Sequence, residues 1–149
     1  MEVESDRRFL FDADRPTVWQ ALAAVDDYPC WWPWLRSFRA EGLVPGDIWH
    51  CTVQPPVPYS LRFTIAIHDV VTEELVTAKL AGDLVGTARL ELADAAAGSE
   101  IRLVSRLAPA SPLVRGFAAV ARPVARYGHD WVLRTGARQF STRALPQRQ

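Results

Sequence analysis

The 149-residue chain has only two cysteines, Lys79 as its one lysine, and no apolar run that approaches the length of a membrane-spanning helix. Cys30 and Cys51 are too few for a disulfide framework, and neither belongs to a Cys-x-x-Cys or Cys/His spacing that would hold zinc. Two buried free thiols are expected, with no metal and no cofactor. The first residues, Met1 to Arg8, are charged and lack the basic-then-apolar pattern of a secretory signal, which points to a cytoplasmic protein without a transmembrane segment. The net charge is zero, so the broad basic field that nucleic-acid binding requires is missing and no nucleic-acid partner is expected. The charge is unevenly spread: from Arg115 onward seven arginines face a single acid, Asp130. Attraction between that basic stretch and the acidic remainder follows. Internal repeats, linkers and low-complexity runs are absent as well. The length suits one domain over residues 1–144 with a frayed tail at 145–149, as a monomer or homodimer.

The periodicity of the apolar residues supplies the order of elements. Val3 to Phe11 alternates as a strand. Asp14 is placed to cap a helix with Pro16 in its first turn, and Val18, Trp19, Leu22 and Val25 follow at helical spacing. Asp26-Asp27-Tyr28-Pro29 breaks that helix, and the indole-rich Cys30 to Leu35 forms a second short helical turn. From Leu35 the period becomes two, with turn signals at Pro45-Gly46-Asp47, Pro55 to Pro58, Glu73-Glu74, Gly82-Asp83 and Ala97-Gly98. Six strands fit between them. In the clearest one, Leu61, Phe63, Ile65 and Ile67 alternate with Arg62, Thr64, Ala66 and His68, the signature of an antiparallel strand with one buried face. After Pro109 a helical stripe of Leu113, Phe117, Val120, Val124, Tyr127 and Trp131 returns, with a break expected near Arg122 because Pro123 removes a backbone donor.

A strand, two short helices, six antiparallel strands and one long terminal helix make an α+β chain whose seven-stranded sheet must curl around the last helix. A single helix is too narrow to fill the hollow of so broad a twisted sheet, so a cavity is expected between the two. Three stretches carry a family pattern: Asp14-Arg15-Pro16-Thr17-Val18-Trp19, the segment Asp27 to Pro33, and Gly128-His129-Asp130-Trp131 with Gly136 to Phe140. In these the chain resembles the START-like superfamily, also called SRPBCC or birch-pollen-allergen-like, and within it the bacterial polyketide cyclase/dehydrase and lipid-transport branch. The resemblance spans nearly the whole chain. It implies a helix-grip fold and a hydrophobic small-molecule ligand, while chemistry varies across the superfamily.

Strand parity and the helical stripe nominate the residues that would touch such a ligand: Trp49, Leu61, Phe63, Ile65, Ala88, Leu90 and Leu103 from the sheet, and Val124, Tyr127 and Trp131 from the helix. Of the indoles at 31, 32 and 34, Trp31 is the one favoured to reach the ligand. Tyr127 is the best polar candidate, since a hydroxyl in an apolar stripe must find a partner. His129 lies off that stripe, where a surface or capping role is expected, and Arg134 is placed to pair with Asp130 one turn away. Cys51 has no histidine set by local sequence to activate it. The residues therefore describe a carrier or sensor of a lipid-like, isoprenoid or aromatic molecule. The alternative is an aromatase/cyclase-type enzyme in which Tyr127 or His129 moves a proton.

Overall fold

The computed structural model describes residues 2–57, 59–112, 114–116 and 122–146, with side chains from Arg126 onward in the last range. Strand β1 (Val3–Phe11) leads into helix α1 (Arg15–Ala23), a 3-10 turn (Val25–Asp27) and helix α2 (Tyr28–Trp31). Strands β2 (Leu35–Arg39), β3 (Ile48–Val53), β4 (Leu61–Val71), β5 (Leu75–Gly82), β6 (Leu84–Ala95) and β7 (Gly98–Pro109) follow. Helix α3 (Arg122–Gln139) then runs into a π-helical turn (Phe140–Ala144). As the sequence predicts, Asp14 caps α1 by accepting a hydrogen bond from the Thr17 amide at 3.0 Å, and Pro16 occupies the first turn. Leu113, Phe117 and Val120 of the expected stripe lie outside the described residues, as does the segment 117–121 before the expected break; α3 begins at Arg122.

All pairings in the sheet are antiparallel, in the order β1-β7-β6-β5-β4-β3-β2. Six strands are laid down in sequence, and β1 closes beside the last of them with Val3 opposite Leu107 and Phe11 opposite Ser99. Register shifts between Leu35 and Ser37 and between Ile67 and Val70 add bends to the natural twist. Gly86 lets β6 and β7 approach closely: its φ is +149°, and a Cβ there would lie 1.8 Å from the Arg106 carbonyl oxygen. The result is a curled seven-stranded half-barrel gripping a C-terminal helix, the helix-grip α+β arrangement.

One end of this grip is solid. Phe11 and Phe140 meet edge to face at 5.3 Å between ring centroids, and Phe140 meets Trp31 at 5.6 Å in the same manner. Val18, Val25, Leu92, Ile101 and Leu145 belong to the same buried core, which continues through Leu22, Tyr28 and Trp49 onto the cavity wall. Leu145, placed by the sequence in a frayed tail, is buried against this core just beyond the π-helical turn. Cys30 is exposed and only Cys51 is buried. Tyr28 and Trp31, three residues apart, take the inward face of α2 and leave Cys30 on the other side.

The predicted pairing of charges also takes a different form. Asp130 bonds Arg7 of β1 at 2.6 Å, and Arg134 is exposed on the helix surface. Two further strong pairs cross from β1 to β7 on the outer face, Glu4 with Arg106 and Asp6 with Arg102, both at 2.6 Å, and Arg89 pairs with Glu91 along β6 at the same distance. Glu4 stands directly opposite Arg106 and Asp6 diagonal to Arg102, and such cross-strand neighbours meet at shorter range than groups separated by the core.

Candidate functional site

Between the inner face of the sheet and α3 lies a cavity of about 420 Å³. Alternate residues of each strand form its wall. Trp49, Cys51 and Val53 come from β3, Leu61, Phe63, Ile65 and Ile67 from β4, Val76, Ala78 and Leu80 from β5, Leu84, Ala88 and Leu90 from β6, and Leu103, Ser105 and Leu107 from β7. None of the described lining residues carries a formal charge. The sheet residues expected to face a ligand, Trp49, Leu61, Phe63, Ile65, Ala88, Leu90 and Leu103, all stand on this wall.

On the helix the expected face is displaced. Tyr127 is half exposed, at 50%, and it and Trp131 are off the described lining, while Gly128, His129, Val132 and Leu133 form it. Only the backbone of Val124 is described. Close packing at two glycines explains the rotation. A Cβ at Gly128 would lie 3.1 Å from Val57 Cγ1, and one at Gly136 would lie 3.2 Å from Trp34 Cζ2. The helix presses its smallest residues against the proline-rich loop and the Trp32–Trp34 pair, so its bulkiest stripe, Tyr127 with Trp131, turns elsewhere. An apolar-stripe reading scores glycine as neutral and misses this.

The indoles divide their work. Trp31, 7% exposed, belongs to the solid end and is not on the cavity wall. Trp32 and Trp34, stacked with ring centroids 5.4 Å apart, line the cavity and bind the helix. Trp32 Nε1 donates to the Gly136 carbonyl at 3.0 Å and Trp34 Nε1 to Gln139 Oε1 at 2.9 Å. Trp49 Nε1 donates to the Gly42 carbonyl at 3.0 Å and to Asp47 Oδ2 at 3.1 Å. Tyr28, absent from the expected set, is the hub of the aromatic wall: its ring touches Trp31, Trp32, Phe38 and Trp49, and its hydroxyl donates to the Leu22 carbonyl. Burial pushes the Tyr28 phenol up from its ordinary value. The Asp27-to-Pro33 segment signalled its place in the fold, but only the packed structure shows its hydroxyl already satisfied.

The proline-rich loop forms part of the rim. Gln54 Nε2 reaches the carbonyls of Pro55, Val57 and Tyr59 at 3.2, 3.1 and 3.0 Å, holding the loop in shape. Val57 is buried against Gly128, and Pro55 and Tyr59 face the cavity. Cys51 also lines the wall, but burial raises its thiol to about 12. It is a protonated, apolar packing group at neutral pH, unsuited to nucleophilic attack.

Buried side-chain polar atoms without a partner among the described residues occur on β1 and α3. His129 reaches the cavity with its side chain 18% exposed, and neither ring nitrogen has a hydrogen-bond partner among the described residues. Its Nδ1 lies 3.5 Å from Asp130 Oδ1, beyond bonding geometry. Burial holds the imidazole below its usual pKa, outweighing Asp130, which acts in the opposite direction, while Arg7 and Arg126 lower it further. Ser105 lies on the wall, and directly across from it in register is Ser5, whose buried Oγ is likewise without a partner. Ser5 and Arg7 take the inward positions of β1, where the sequence offers two polar residues in an otherwise simple alternation. No group of three or more metal-ligating side chains occurs among the described residues, and none of their helices is long and apolar enough to cross a membrane.

No protein-family model matches the chain, and no curated protein matches it by sequence. Solved structures do match its fold. It is similar to the Zhui aromatase/cyclase from a Streptomyces species at 13% identity, covering 97% of this chain and 94% of that one with a TM-score of 0.79. The KanY protein matches at 15% identity over 97% and 98% of the two chains, with a TM-score of 0.74. Norcoclaurine synthase from Thalictrum flavum, solved in complex with dopamine and hydroxybenzaldehyde, matches at 13% identity over 95% and 86%, with a TM-score of 0.66. At these identities the likeness is one of fold.

Proposed function

From the START-like helix-grip fold that this chain has, we propose that it binds a hydrophobic small molecule in the cavity between sheet and α3, as a carrier or sensor. The observation that supports this reading is the wall itself: about 420 Å³ of space lined by apolar side chains, with the indole N–H groups and the Tyr28 hydroxyl already bonded to protein. Burial of apolar surface would drive binding. A guest removing on the order of 250 Å² from water gains about 6 kcal/mol before the costs of association. A lipid-like, isoprenoid or flat aromatic body suits such a wall, and Trp32, Trp34 and Trp49 would report its arrival through their fluorescence. Titration with Nile red, a neutral apolar dye, is expected to give saturable dye emission and quenching of tryptophan. Absence of saturable binding overturns the proposal.

The His129 imidazole at the cavity wall favours one second reading, an enzyme of the aromatase/cyclase type. Held neutral, the imidazole is in the form that accepts a proton from an acidified carbon of a bound polyketone. The likeness to an aromatase/cyclase fold supports the idea only at the level of architecture. Turnover of a polyketone analogue that disappears in His129→Ala, with Nile red binding kept, would establish it; turnover that survives in His129→Ala would remove it.

A further inference from the structure

The outer face of the sheet carries a hollow of its own, an open basin of about 550 Å³ across β4 to β7. Thr77 and Lys79 of β5, Thr87 and Arg89 of β6 and Arg106 of β7 alternate with the cavity-wall residues of their strands and so point outward into this basin. Ala78, Ala88 and Ser105 line both spaces, so basin and cavity lie back to back across the sheet. The register gathers cations in the basin. Lys79 stands directly opposite Thr87 and Thr87 directly opposite Arg106, while Arg89 follows two residues along β6 on the same face. Thr87 is thus flanked by positive charge on three sides.

We propose that this basin is a second binding site, which holds the phosphate group of a small phosphomonoester between Lys79, Arg89 and Arg106 over Thr87. Lys79, the one lysine of the chain, is exposed and makes no ion pair among the described residues. The two arginines are braced from outside the basin. Arg89 Nε bonds Glu91 at 2.6 Å, and Arg106 Nε and Nη2 bond Glu4 at 3.1 and 2.6 Å. Neither glutamate belongs to the described lining, and both Nη groups of Arg89 and Nη1 of Arg106 remain for another acceptor. Asp69, the acid among the described lining residues, accepts from the Thr77 hydroxyl at 3.1 Å, so three cations face one carboxylate. A phosphomonoester brings three acceptor oxygens and a charge of about −1.5 to −2 at neutral pH, which the guanidinium groups, the ammonium and the Thr87 hydroxyl can share. A carboxylate, with two oxygens and a single charge, satisfies fewer of these donors. The basin leaves room beside the phosphate for an organic body over Ala88 and Val104.

NMR titration of the full chain with glycerol 3-phosphate tests this, with glycerate as the carboxylate counterpart. Flotation with phosphatidylcholine vesicles carrying phosphatidic acid tests the same group on a lipid. The amide signals of Thr77, Lys79, Thr87 and Arg106 should shift saturably with glycerol 3-phosphate at a Kd on the order of 1 mM, and glycerate should bind about tenfold more weakly. Lys79→Gln and Arg89→Gln should each weaken the phosphate compound about tenfold, the loss of one charge-assisted hydrogen bond, whereas Lys79→Arg keeps it. Both glutamine variants change exposed side chains and should bind Nile red as the wild type does. Vesicle binding that depends on Lys79, without binding of glycerol 3-phosphate, supports the site and assigns the phosphate to a lipid headgroup; binding of glycerol 3-phosphate assigns it to a soluble ester. Failure of both to bind overturns the proposal. So does equal affinity for glycerate, or binding that survives undiminished in both glutamine variants. The hydrophobic-binding reading stands or falls separately, on the Nile red titration.

Discussion

The two cysteines show how burial, rather than residue type, sets reactivity. Cys51 stands on an apolar wall with its thiol raised to about 12, whereas Cys30 is exposed on α2. Iodoacetamide should modify one thiol per native chain quickly, at Cys30, and the second only on unfolding; mass spectrometry of labelled peptides measures both. His129 carries a pH dependence whose sign follows from its environment. Its folded-state pKa is lowered from 6.5, chiefly by burial, so the unfolded chain binds the proton more readily. That contribution to stability is fully present above about 6.5 and is lost as the pH falls through the lowered folded value. Asp130 beside it, Arg7 across from it and Arg126 one turn before it are the charged groups that act on it. Urea midpoints measured from pH 8 to 5 should therefore fall less steeply in His129→Leu than in the wild type.

Strands and helix differed in how openly their sequences declared a face. Period-two alternation admits only two orientations, and burial of one whole side selects between them, so the β3, β4, β6 and β7 wall residues were legible in advance. A helix can rotate in small steps about its axis, and α3 is seated by what it lacks. Gly128 accepts Val57 of the proline loop and Gly136 accepts the Trp32–Trp34 stack, which turns His129 inward and Tyr127 outward. Gly136→Val should thus destabilise the fold by about 1–3 kcal/mol despite the better helix propensity of valine, because overpacking against Trp34 exceeds the gain. A urea denaturation series reads the difference, and an unchanged midpoint would mean that α3 does not seat on the indoles. On β6, Gly86→Ala should cost at least about 1 kcal/mol, since the new methyl meets the Arg106 carbonyl and the backbone angle disfavours a side chain.

Across the whole molecule, a solid aromatic plug at one end and a hollow at the other divide stability from binding. The plug of Phe11, Trp31, Phe140 and Leu145 holds the helix to the sheet without help from a guest. A neutral ligand at one hundred times its Kd should therefore add about 2.7 kcal/mol to an already folded protein, raising the thermal midpoint by roughly 5–10 °C. Ala88→Phe, which projects into the hollow from β6, should weaken Nile red binding strongly while leaving the melting temperature of the free protein equal or higher. A loss of both folding and binding would show instead that the wall near Ala88 is already filled.

The sequence alone determined the number and order of elements, the capping of α1, the turns, and the inward side of β3, β4, β6 and β7, because these depend on local backbone preference and on a two-fold alternation. It also implied a hollow, since one helix cannot occupy so wide a sheet. Only the tertiary structure decided which indole plugs the core, which face α3 presents and which buried polar atoms are left without a partner. Those outcomes depend on contacts between residues about a hundred positions apart, such as Trp32 with Gly136 and Arg7 with Asp130, and on space left open by glycine. Neither a distance across the fold nor a missing side chain writes a periodic signal into the chain.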